Sequence, residues 1–157
     1  MSQSSIERII NDAREAQLKF EFAEQEVVDE LIVGLAWSII NPEKNRSLSK
    51  QAVKDTGFGN VEDKITKNHR KTLGLLRDLK NAPSCGIIKQ IPEQGLIEIA
   101  RPVGIVGAVT PSTNPIATPL NKIINSIKCR NAIILAPSPK GEAVCQKVVE
   151  FLQNTLK

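Results

Sequence analysis

At 157 residues, with 41% hydrophobic and 24% charged side chains, the chain is long enough to bury a core and too apolar to be disordered. Tyr is absent and the aromatics are four Phe and one Trp, so the core has to be aliphatic and platforms for stacking nucleic-acid bases are scarce. The net charge of +4 divides into 6 basic and 9 acidic side chains in residues 1–50 and 15 and 8 in residues 51–157, interspersed and without a dense basic run, so nucleic acid is not an expected partner.

Ser4 with Glu7 three residues on is a capping-box pattern, and Ile6, Ile9, Ile10 and Ala13 share one helical face, which predicts a helix over residues 5–18. A broader apolar periodicity through Val27, Val28, Leu31, Ile32, Leu35, Ala36, Ile39 and Ile40 predicts a second helix buried on more than one side. Asn41-Pro42 then reads as a cap followed by the first position of a third helix, residues 42–56, which ends at Gly57. Asn60 can cap a long polar helix in which Ile65, Leu73, Leu76 and Leu79 make a sparse apolar stripe, so this helix is expected to be half exposed. On it, Glu62 and Asp63 read as surface charges supporting i, i+4 pairs and His69 as a surface residue.

From residue 81 the period changes. Strands are predicted near 86–90, 96–101 and 103–109, with turn chemistry at Pro92 to Gly95 and a break at Pro102. Gly104 and Gly107 precede no helix start and so make no phosphate fingerprint; they are read as allowing tight strand packing or a bulge. A helix is predicted from Asn114-Pro115, with Ile116, Leu120, Ile123, Ile124 and Ile127 on one face. Ala132 to Ala136 is a continuous apolar run of the kind covered on both faces in a parallel sheet, and Val144, Val148, Phe151 and Leu152 mark a last helix. The fold class is therefore α/β: a helical segment over residues 1–80, a β-hairpin region over 81–109, and from 110 to 157 the start of a doubly wound, Rossmann-like parallel sheet.

No apolar run approaches the roughly 20 residues of a membrane span, and residues 1–17 carry acids where a signal peptide would be apolar, so a cytoplasmic chain without a membrane partner is expected. Cys85, Cys129 and Cys145 have no C-x-x-C spacing and His69 is the sole histidine, which supports neither a disulfide framework nor a metal site.

The stretch PVGIVGAVTPSTNPIATPLNKIINSIKCRNAIILAPSPKG, residues 102–141, resembles the aldehyde dehydrogenase superfamily, in which P-x-G opens a strand that ends in a Pro and an Asn beside the active site. Its T-P-S-T-N-P loop, C-R-N-A-I-I strand and A-P-S-P-K turn are similar to the CoA-acylating group of that superfamily, as are TGFGNVEDKITKNH and the SCGI at Ser84 to Ile87. The resemblance implies that residues 1–157 are part of a cofactor-binding domain. The reaction it implies converts a small aldehyde, coenzyme A and NAD or NADP to an acyl-CoA and the reduced cofactor, in a homo-oligomer that uses the hairpin for its contacts. It also implies that the Gly-rich pyrophosphate turn and the catalytic cysteine lie beyond Lys157. No cysteine here matches the nucleophile's motif, so the chain alone is expected to be inactive.

In the resembling enzymes the residue matching Asn114 donates its amide N–H to the oxygen of the tetrahedral adduct; read without the family, Asn114 is a cap for the helix begun by Pro115. Thr110, Pro111 and Ser112 would border the nicotinamide ribose, and Pro137, Ser138 and Lys140 the adenosine half of the cofactor. Ala136 and Pro139 stand where most free-acid-forming relatives have a Lys and often a Glu, which fits the acylating group better. Lys140 is read either as a partner for a ribose 2′-phosphate or as a solvated surface lysine. The rival reading from another class is a non-catalytic binding or assembly module that keeps the nucleotide-edge loops.

Overall fold

The computed structural model describes residues 3–156, with side chains from residue 5 onward. Four helices come first: α1 (Gln3–Phe20), α2 (Gln25–Ile40), α3 (Pro42–Thr56) and α4 (Val61–Leu79). The Asn41 side chain accepts a hydrogen bond from the Lys44 N–H at 3.0 Å, and Pro42 occupies the first turn, where a missing N–H costs nothing. At the other end of α3, Gly57 takes φ +70°, a conformation that suits glycine. Asn60 caps α4 in the same way, accepting from the Asp63 N–H at 2.9 Å. Ser4, by contrast, lies inside α1, because the backbone is already helical at Gln3 and a cap needs a non-helical residue.

Two strands, β1 (Gly86–Ile91) and β2 (Leu96–Ala100), form an antiparallel hairpin with a bulge between Ile87 and Lys89. β3 (Ile105–Thr110) runs parallel to β4 (Ala132–Pro137), and α5 (Ala117–Lys128) makes the crossover between them. α6 (Glu142–Thr155) follows. The strands therefore begin later than expected after Pro102. Gly104 holds φ +107°, which makes it a turn residue, and no neighbouring atom crowds it or Gly107.

The core is aliphatic, as the composition requires. Leu35, Ala36 and Ile39 of α2 pack with Leu48 and Ala52 of α3, Leu120 and Ile124 of α5, and Val144 and Val148 of α6. Two expectations are corrected here. On α4, Leu76 and Leu79 pack against the core as expected, but Leu73 is 44% exposed and the fully buried residues are Lys64, Asn68 and Thr72. The polar face turns inward because Asn68 Nδ2 finds partners on α3, donating to Asn45 Oδ1 at 2.9 Å and Ser49 Oγ at 3.3 Å. The run Ala132 to Ala136 is half-buried, with Ala136 exposed, because β4 has a strand neighbour on one side only. Among the described residues, no helix is long and apolar enough to cross a membrane.

Candidate functional site

The register of β3 and β4 pairs Thr110 with Pro137, so both strands finish at the same level and release their loops from one edge of the sheet. That carboxyl edge is where α/β sheets hold ligands. The Ser138 N–H donates to the Thr110 carbonyl at 2.9 Å and ties the second loop to the end of the first strand. Gly141 tightens the junction. A Cβ there would sit 3.0 Å from Pro115 Cβ, 3.2 Å from Ser138 Oγ and 3.8 Å from the Pro111 carbonyl oxygen, so the loops 111–116 and 138–141 approach closely enough that a side chain at residue 141 would crowd them.

Thr110, Pro111, Ser112, Asn114, Pro137 and Ser138 are thus brought to one place. They differ in what they offer. Thr110 is 2% exposed and its side chain is engaged by Cys145, so it belongs to the wall of the site. Ser138 Oγ is buried without a hydrogen-bond partner. Ser112 and Asn114 are half-buried on the first loop. Lys140 is exposed, its ammonium 6.0 Å from the centre of the Phe58 ring.

Asn114 does not cap the helix that follows. A helix begun by Pro115 would need the residue-119 N–H to bond the Pro115 carbonyl, but residue 119 is proline and has none. The first helical bond observed runs from the Leu120 N–H to the Ile116 carbonyl at 3.1 Å, and α5 starts at Ala117. The Asn114 side chain makes no hydrogen bond among the described residues, which leaves its amide free to donate.

A third wall was missed by reading the sequence. The loop Phe58 to Asn60 and the first turns of α4 face the loop carrying Asn114, and Phe58, Gly59, Asn60, Asp63, Lys64, Lys67 and Thr113 line an open depression of about 130 Å³. Lys64 is only 5% exposed, and burial together with the neighbouring Lys67 charge lowers its pKa. The signal available in the sequence was the i, i+4 spacing of Lys64, Asn68 and Thr72, a polar stripe running beside the apolar one. Glu62 pairs across to Arg46 of α3 at 2.8 Å, not along its own helix, and His69 is exposed.

None of the three thiols lies on the site loops. Cys145 is buried behind Thr110; burial pushes its pKa up, and the Thr110 hydrogen bond only partly offsets this. Cys129 is exposed at the end of α5, and Cys85 is partly buried, its N–H donating to Gln25 Oε1 at 3.2 Å. A thiol reagent applied to the folded chain is therefore expected to modify Cys129 first and Cys145 last; equal rates would mean that Cys145 is not held in the core.

Comparison with known proteins follows the same lines. The family model described as the aldehyde dehydrogenase family matches residues 1–156. An acylating sulfoacetaldehyde dehydrogenase of Cupriavidus necator is 54% identical over 148 residues, which is 94% of this chain and 30% of that protein. An acetylating aldehyde dehydrogenase of Geobacillus thermoglucosidasius superposes with TM-score 0.91 at 33% identity, over 97% of this chain and 33% of that one. A propionaldehyde dehydrogenase of Rhodopseudomonas palustris, with bound CoA and an acylated cysteine, superposes with TM-score 0.80 at 26% identity, over 96% and 34%. The chain thus spans about a third of the length of each of these proteins.

Proposed function

The chain belongs to the aldehyde dehydrogenase family, and from that premise we propose that it forms part of an NAD(P)-dependent, CoA-acylating aldehyde dehydrogenase. The overall change is aldehyde, CoA and NAD(P)⁺ to acyl-CoA, NAD(P)H and a proton. Residues 1–157 act as a partial cofactor-binding domain, with residues 1–80 as its helical segment, 81–109 as its β-rich segment and 110–157 as the opening of the nucleotide-binding unit. The observation that carries the reading is the unengaged Asn114 amide on the loop at the carboxyl edge of the sheet.

In this reading a cysteine from outside the chain attacks the aldehyde carbon. Asn114 donates its side-chain N–H to the oxygen as negative charge builds on it, and a fixed donor of this kind is worth about 2.7–4 kcal/mol of barrier. Bound NAD(P)⁺ supplies the hydride acceptor. The residues present fit that group: Ser112 offers a hydroxyl at the sheet edge, Pro111 and Pro137 shape the wall, and Lys140 is an exposed cation at the second loop suited to a phosphate. CoA then releases the acyl group as a thioester. The CoA-acylating class is supported by the 54% identical acylating relative and by the similar structure that holds CoA and an acylated cysteine.

The β1–β2 hairpin supports a homo-oligomer. Ile87, Leu96, Ile97 and Ile99 are each more than half exposed there, a cluster that a subunit contact would cover. Free thiols among the described residues accord with the cytoplasm.

The test is acyl-CoA formation from a panel of small aldehydes with CoA and either NAD⁺ or NADP⁺. The complete enzyme is expected to be active and the 157-residue chain alone inactive, with weak or no cofactor binding. Acyl-CoA formation by the chain alone, lost on replacing one of its cysteines, would relocate the active site. Micromolar NAD(P)⁺ binding by the chain alone, without turnover by any larger form, would favour the binding-module reading.

A further inference from the structure

The chain has nine glycines, and eight of them would meet no neighbouring atom within 4 Å if given a Cβ. Gly141 is the exception. Its backbone, at φ −103° and ψ −2°, is one that an L-residue can adopt, so glycine is not required there for conformation. What the position needs is space: the surroundings of a Cβ are already taken by Pro115 Cβ at 3.0 Å and Ser138 Oγ at 3.2 Å.

The two sides of this contact differ in how firmly they are held. Gly141 closes a single 3-10 turn, Pro139–Gly141, with its N–H on the Ser138 carbonyl at 2.8 Å, and the Ser138 N–H is bonded in turn to the Thr110 carbonyl at 2.9 Å. α6 starts at the next residue and is fixed by Val144, Cys145 and Val148, all buried. On the opposite side, residues 111–115 take part in no hydrogen bond among the described residues. Within this chain that loop is placed by packing, through the burial of Pro115 and Ile116. Pro115 is the chain neighbour of Asn114, so whatever seats Pro115 also sets where the Asn114 amide stands.

We infer that Gly141 is a positioning residue for Asn114: by having no side chain it lets Pro115 settle against the turn that follows β4, and so fixes the amide at the carboxyl edge of the sheet. This rests on the reading of Asn114 as the donor to the developing oxyanion. A donor serves that role only within about 2.7–3.1 Å of the oxygen, so a shift of a few tenths of an ångström matters. A methyl group at residue 141 can be cleared by Ser138 Oγ through rotation alone, but Pro115 Cβ belongs to a closed ring and yields only if the loop moves. The loop is the softer partner, and Asn114 moves with it.

The experiment compares the complete wild-type enzyme with Gly141→Ala, Gly141→Val, Asn114→Ala and the double variant Gly141→Val/Asn114→Ala, at saturating aldehyde, CoA and cofactor. kcat is expected to fall in steps, by about threefold to tenfold in Gly141→Ala and about 30- to 100-fold in Gly141→Val, as the misplacement grows toward an ångström. In the double variant, kcat is expected to match that of Asn114→Ala within about twofold, because a donor already removed cannot be misplaced. A purely structural lesion would instead multiply the two losses, and that result would overturn the assignment. So would an unchanged kcat with only the KM for NAD(P)⁺ raised, which would make residue 141 a cofactor contact. If Gly141→Val does not fold, Gly141→Ala with and without Asn114→Ala carries the same comparison. In a crystal structure of the Gly141→Ala enzyme, Pro115 and Asn114 are expected to lie a few tenths of an ångström farther from residue 141, with Thr110 and Pro137 in place; an unmoved Asn114 would also overturn the assignment. Full turnover by Asn114→Ala would sink the reading of Asn114 itself, and the crystal structure would still decide whether residue 141 places the loop.

Discussion

Asn114→Ala in the complete enzyme is expected to lower kcat by roughly 10²–10³ while leaving the unfolding midpoint nearly unchanged. The two halves of this expectation come from different observations. The rate effect follows from an amide placed at the carboxyl edge with its N–H unengaged. The absence of a stability effect follows from where α5 begins: its first hydrogen bond is accepted by Ile116, so removing the residue-114 side chain removes no cap. A true cap would instead cost about 0.5–2 kcal/mol of stability with turnover preserved. Measuring kcat and Tm on one preparation separates these outcomes, and a lowered Tm with unaltered kcat would end the catalytic assignment. Asn114→Asp sharpens the test: the carboxylate matches the amide in size but repels an oxyanion, so the variant should fold normally and be nearly inactive.

The second large effect concerns stability. Asn131 is 6% exposed, and its Oδ1 accepts from two successive backbone N–H groups, Val103 at 2.7 Å and Gly104 at 3.0 Å. It thereby holds the turn from which β3 departs, while the Ala132 N–H donates back to the Gly104 carbonyl at 3.0 Å. Asn131→Ala deprives both donors of their acceptor and is expected to destabilise the chain by about 2–4 kcal/mol in denaturant unfolding. Asn131→Asp keeps the acceptor and should lose much less. If the alanine variant unfolds at the wild-type midpoint, the turn is held by something other than these two bonds.

Features governed by local chemistry were legible in the sequence. Asn41, Pro42 and Gly57 bound α3, and Asn60 starts α4, because each needs only a few residues of chain to exert its effect. The hairpin, the parallel strands and the crossover helix were legible from period and punctuation. The start of α5 was misplaced for a reason also present in the sequence: Pro119 removes the N–H on which a helix from Pro115 would depend. The inward face of α4 was legible only in part: Leu76 and Leu79 pack against the core as their spacing predicts, but the buried polar stripe beside them was not foreseen. Lys64, Asn68 and Thr72 look like solvated positions until α3 brings Asn45 and Ser49 against them, a pairing across 19–23 residues that periodicity does not register. Likewise the open depression lined by Lys64 arises where a loop near residue 58 meets one near residue 113, which spacing along the chain cannot announce.

The composition of the core also governs the order in which the molecule can assemble. Leu35, Ala36 and Ile39 of α2 are buried against side chains of which many lie past residue 115: Ile116, Leu120 and Ile124 of α5, and Val144 and Val148 of α6. α1 is clasped from the same direction, its Gln17 donating to the Arg130 carbonyl at 3.3 Å while the Arg130 guanidinium reaches the Glu21 carbonyl just beyond it. During synthesis the helices that emerge first can cover their apolar faces only in part, through Leu48 and Ala52 of α3, until α5 and α6 follow. That delay makes closure of the core a late, long-range event.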